Sequence, residues 1–119
     1  MPMRFWPRKP RFPIIVDLGD KLIGARSTTD CSKQLAVVSP GHETKSWPVI
    51  DASAEAFSFY PEMMVITPLA VKKRWTKSEM VDLYNVRRNP DVPEYVAGSL
   101  NNKRFDRVVA EIVVLLNEH

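Results

Sequence analysis

The chain has 119 residues, 45% of them hydrophobic and 26% charged, with a formal net charge of +3. That length suits one domain with a single core, and the composition is that of a globular protein rather than a disordered or membrane-spanning one. Cys31 is the only cysteine, which excludes an intrachain disulfide and a thiolate metal cluster.

The charge is unevenly placed. Residues 1–12 carry Arg4, Arg8, Lys9 and Arg11 with no acid; acids outnumber bases over 13–71; and residues 72–119 are again net positive. A positive field is therefore expected from the two ends of the chain. No apolar run approaches the ~18–20 residues of a membrane span. Proline and arginine break up the apolar core that a signal peptide would need. The expectation is a soluble, cytoplasmic protein with no membrane partner and an oligomeric state that the sequence leaves open.

In chain order, residues 1–12 form a basic, proline-rich leader ahead of one α+β domain over 13–119, β-rich over 13–71 and helical over 75–118. Proline rules out a regular helix in the leader and favours an extended path. Its arginines suit phosphates or carboxylates, and Phe5, Trp6 and Phe12 could stack on a base, on a partner or on the domain body. Ile14–Ser27 reads as a hairpin with Gly19-Asp20 at the turn. Thr28–Lys33 reads as a polar loop and Gln34–Ser39 as a strand stopped by Pro40-Gly41. His42 and Glu43 sit in a loop with no second histidine nearby, so a solvated loop is expected and no metal site.

Ser46–Ile50, Ala56–Tyr60 and Met63–Thr67 read as short strands of an antiparallel meander, with Pro61-Glu62 as a hairpin connection. Pro48, Pro61 and Pro68 confine them to short or edge pieces. After the basic cluster Lys72, Lys73 and Arg74, Thr76-Lys77-Ser78-Glu79 is a capping box. The helix it opens has Met80, Leu83, Tyr84 and Arg87 on one face and stops at Asn89-Pro90. Asp91-Val92-Pro93-Glu94 predicts a short helix through Tyr95, Val96 and Ala97. The final segment carries Phe105, Val108, Val109, Ile112, Val113 and Leu116 on an apolar stripe of helical period. The fold class expected is α+β, a small antiparallel β-meander packed against two or three C-terminal helices.

RWTKSEMVDLY, followed by EYVAGSLNNKRFDRVVAEIVVLL, resembles the Myb/SANT-type and bacterial helix-turn-helix pattern across residues 74–116. The resemblance implies that Trp75 and Leu83 are core and that Val96, Ala97 and Leu100 form the face of a second helix. It further implies that Asn101, Asn102, Lys103, Arg104 and Arg107 point outward toward nucleic acid. Arginine and lysine neutralise phosphates, and asparagine pairs with adenine.

Two function classes follow. One is a non-enzymatic nucleic-acid-binding protein using Arg4, Arg8, Lys9, Arg11, Lys72, Lys73, Arg74, Asn102, Lys103, Arg104 and Arg107. The other is a protein-interaction module, an adaptor or inhibitor, docking through Phe5, Trp6 and Phe12 or through a sheet edge. Scattered carboxylates, isolated histidines and the lack of a glycine-rich phosphate loop or nucleophile elbow argue against an enzyme and give no reason for a cofactor.

Overall fold

A computed structural model describes residues 3–37, 46–96 and 100–118. It has an α+β architecture built on one mixed six-stranded sheet. The strands are β1 (Arg4–Phe5), β2 (Ile14–Asp17), β3 (Leu22–Ala25), β4 (Trp47–Ile50), β5 (Ala56–Tyr60) and β6 (Val65–Pro68). The helices are α1 (Thr28–Leu35), α2 (Lys77–Arg87) and α3 (Phe105–Glu118).

The strand order is β1-β6-β5-β4-β2-β3. All pairs are antiparallel apart from β1 with β6, which is parallel. The hairpins β2–β3 and β5–β6 match the expected ones, with the second turn running through Pro61-Glu62. Pro48 lies in an interior strand rather than at an edge. It pairs with Ser58 of β5, and the β2 partnership of β4 covers only Val49 and Ile50, so no ladder donor is missed at Pro48.

Alternation along the strands sends side chains to two faces. On one face Ile14, Val16, Val49, Phe57, Phe59 and Ile66 pack with Cys31 and Leu35 of α1 and with Met3 of the leader. On the other, Ile15, Leu22 and Ile50 pack with Met80 and Tyr84 of α2 and with Val109, Ile112 and Val113 of α3. Gly24 lets α3 come this close, because a Cβ there would sit 3.0 Å from the Val113 backbone. Burial pushes the Cys31 thiol up to about 12, so it serves as a small core residue rather than a nucleophile.

Three expectations need correction. The loop at Thr28–Lys33 and the strand from Gln34 are one helix, α1. Ser27 caps it by accepting from the Asp30 amide at 3.2 Å, and Cys31 and Leu35, four apart, face the core. Val38–Ser39, Pro40-Gly41, His42 and Glu43 lie outside the described residues. The helix expected from Asp91 is not formed over 91–96, and Ala97 lies outside the described residues. There the chain is held in non-helical form by side chains of α2. Asn85 accepts from the Tyr95 amide at 2.9 Å, and Tyr84 donates to the Pro93 carbonyl at 3.0 Å. Between α2 and α3 the only described helical piece is the 3-10 turn Leu100–Asn102. Lastly, the sheet is not a simple meander, since β4 returns beside β2 and β1 adds a parallel edge.

The capping box of α2 forms as expected, with Thr76 and Glu79 bonded reciprocally. Among the described residues no helix is long and apolar enough to cross a membrane.

Candidate nucleic-acid interface

The turn from β4 to β5 positions the site. Asp51 is 1% exposed. One carboxylate oxygen accepts from the Ser53 amide, the Ser53 hydroxyl and the Glu55 amide at 2.9, 2.7 and 3.0 Å. The other accepts from the Arg11 amide at 3.1 Å, and the Arg11 carbonyl in turn accepts from the Ala52 amide. A buried carboxylate is stable only when satisfied in this way. Holding Arg11 by its backbone leaves its side chain to project from the surface.

The same turn fixes a third segment. Lys73 to Trp75 lies antiparallel to Ala54–Ala56, with the Trp75 amide donating to the Ala54 carbonyl at 2.7 Å and the Ala56 amide to Lys73. Arg74 reaches back to donate to the Ser53 carbonyl at 3.1 Å. The start of α3 completes the arrangement. Lys77, in the first turn of α2, donates to the carbonyls of Leu100 and Lys103, which sets the 3-10 turn that leads into Arg104.

These segments enclose a surface depression of about 360 Å³ whose lining includes Arg11, Ser53, Arg74, Arg104 and Asp106. Three arginines and one aspartate are among its lining residues. Asp106 sits 3.6 Å from Arg104, an exposed pair of little energetic weight that an incoming anion can displace. The N-terminal end of α3 adds a positive partial charge. Planar forks of this kind suit phosphate or carboxylate oxygens.

The other candidate residues go elsewhere. Arg8 is committed to an ion pair with the buried Glu55 and lies over the Phe57 ring. Lys9 lies over Phe5 and Phe12, whose rings meet edge to face at 6.1 Å against the core. Lys73 covers Trp75 at 4.5 Å. Arg4, Lys72 and Asn102 are exposed, as is Trp6 at 72%. Arg107 lies 3.9 Å from Glu111.

Lys103 belongs to a separate cluster that fastens the connection after α2 onto α3. Tyr95 donates to Glu111 at 2.6 Å, and Lys103 bonds the same carboxylate at 3.0 Å. The Tyr95 and Lys103 hydrogen bonds hold the Glu111 carboxyl below the usual carboxylate range. Burial raises the Tyr95 hydroxyl, and the bond to Glu111 raises Lys103, so neither is primed as a base.

Asp51, Ser53, Lys77 and Asp106 were not identified as site residues by sequence reasoning. A lone aspartate among small residues carries no local signal of the tertiary bonds that it accepts. Comparison with family models, curated proteins and solved structures finds no match to this chain.

Two outcomes follow. Asp51→Ala removes an acceptor from four donors and should cost about 3 kcal/mol in urea unfolding, against near neutrality for an exposed control such as Lys72→Ala. A depressed carboxylate contributes stability that is present above its unfolded pKa and lost as pH falls through the folded one. Glu111→Gln should therefore be less stable than the parent at pH 7. The gap should close as the pH drops below the ordinary value of 4.5. A gap independent of pH would show that the carboxylate charge does not hold the cluster.

Proposed function

We propose that the protein is a non-enzymatic nucleic-acid-binding protein that contacts the phosphate backbone through the depression around Ser53. The observation that carries this reading is the convergence of Arg11, Arg74 and Arg104, from three segments far apart in sequence, on one surface concavity. Solvated arginines on a protein surface normally spread apart, because like charges repel. Here the backbones of the three segments are fixed by hydrogen bonds to Asp51, to Ala54 and Ala56, and from Lys77, and Arg74 adds a bond from its own guanidinium to the Ser53 carbonyl. Arg4, Lys72 and Asn102 are exposed but do not line the depression.

A second reading, a protein-interaction module, draws support from Trp6. Phe5 and Phe12 are packed against the body, whereas Trp6 stands 72% exposed beside the short edge strand β1. An exposed indole of that kind suits a protein partner.

Fluorescence anisotropy with a random-sequence duplex and a single strand, at two or more salt concentrations, separates the two. Each phosphate contact contributes a slope of about −0.9 for a duplex, or −0.7 for a single strand, in log affinity against log salt. Replacing Arg11, Arg74 and Arg104 together by alanine should flatten that slope by about 2 to 3. Trp6→Ala should leave it unchanged. Binding with a flat salt response, or an unaffected slope in the triple variant, would remove the nucleic-acid reading.

A further inference from the structure

Helices α2 and α3 cover only part of their side of the sheet. Among the described residues, the core layer beneath them takes strand residues from β2, β3 and β4 and none from β5, β6 or β1. Phe57 and Phe59 of β5 belong to the opposite layer, so alternation turns Ser58 and Tyr60 to the uncovered half. Pro48, Val65 and Thr67 share that side through their pairing with β5, and none of these five residues is acidic.

A cleft of about 280 Å³ opens on this half, between β4–β5 and the segment that leads into α2. Pro48, Leu69 and Trp75 supply apolar wall and Lys73 a cation. Ser58 also lines it and is only 8% exposed. Among the described residues its hydroxyl has no hydrogen-bond partner, and unlike the Trp75 indole nitrogen it is not sealed off from solvent. A hydroxyl so deeply placed is normally paired, which points to a ligand group or a water in the cleft.

Lys73–Trp75 runs antiparallel to Ala54–Ala56, bridged at Arg74 and Glu55. Successive side chains of an extended segment point to opposite sides. Arg74 accordingly lines the arginine depression, whereas Lys73 and Trp75 line the cleft. The two concavities share this segment as a wall. Lys73 lies 4.5 Å from the Trp75 ring and makes no ion pair among the described residues, so its ammonium stays available to an anion.

We propose that the nucleic acid is single-stranded and that the cleft receives one of its unstacked bases. This rests on the nucleic-acid reading above. The base lies between Pro48, Leu69 and Trp75, its polar edge bonds the Ser58 hydroxyl, and Lys73 meets the adjoining phosphate on the way to Arg74. An apolar cavity of about 150 Å³ holds a benzene ring, so the cleft has room for a base. A duplex could supply that base only by unstacking and unpairing it, which opposes binding.

Titration of the ¹⁵N-labelled full chain with a thymidine single strand of about ten nucleotides, with its abasic counterpart and with the matching duplex tests this. The intact strand should bind about tenfold more tightly than the abasic one, as one base against an aromatic wall implies. It should shift the Ser58 and Leu69 amides and the Trp75 indole N–H in addition to the depression. Ser58→Val removes the hydroxyl, fills part of the cleft and suits a strand. It should lower the affinity for the intact strand toward the abasic value and leave the abasic strand unaffected. Leu69→Asn, at the 37% exposed rim, is an independent variant that should weaken the intact strand severalfold and spare the abasic one. Equal affinity for intact and abasic strands, tighter binding of the duplex, shifts that spare Ser58 and Trp75, or unchanged affinity in both variants overturns the proposal while the phosphate-contact reading stands. An oligoproline peptide that saturates the cleft amides when the intact strand leaves them unmoved also overturns it, in favour of a protein partner. Failure of every strand to bind at low salt removes both readings together.

Discussion

One buried carboxylate holds together the parts of this fold that matter for its surface. Asp51 follows β4, and its two oxygens gather donors from the leader, from Ser53 in its own turn and from Glu55 just before β5. The turn includes Ala54 at φ 75, a left-handed conformation that costs a residue with a Cβ about 1–2 kcal/mol. The Ala54 amide donates to the Asp51 carbonyl and its own carbonyl accepts from Trp75, so local strain is offset by bonds that tie the 73–75 segment to the sheet. The leader and the entry to α2 are thereby set beside the start of α3. The arginines of those segments share a depression because the Asp51 carboxylate, the Lys77 ammonium and backbone bonds fix their segments, not because of any attraction between their side chains.

The two faces of the sheet explain why the chain is arranged around that turn. One face is closed by α1 and the leader and the other by α2 and α3, so the apolar content of a short chain is divided between two layers of core. The leader is part of the first layer. Met3 is buried, and Arg4 and Trp6 donate to Met64 and Ile66 of the β5–β6 hairpin. A basic segment held against a sheet loses its freedom to wrap a ligand but presents Arg11 at a fixed place.

What could be read in the sequence was what local chemistry determines. Gly19-Asp20 between two apolar runs marks the β2–β3 hairpin, Thr76 with Glu79 marks the start of α2, and the helical stripe from Phe105 marks α3. Two local signals were outweighed. Ser27 followed by Asp30 is a helix start, but the polar run after it and the valines at 37 and 38 read as loop and strand. Asp91 to Glu94 has the letters of a helix start, yet Asn85 and Tyr84 take the backbone groups that a helix would use. The remainder carries no local signal at all. The pairing of Arg4–Phe5 with β6 and the meeting of Arg11, Arg74 and Arg104 arise from tertiary bonds between residues dozens of positions apart.

The most direct test is chemical-shift mapping of a short single-stranded oligonucleotide on the ¹⁵N-labelled full chain at low salt. The account predicts shifts concentrated on Arg11, Ser53, Arg74 and Arg104, fading as salt is raised. Shifts centred on Trp6 and β1, or no shifts at low salt, would contradict it.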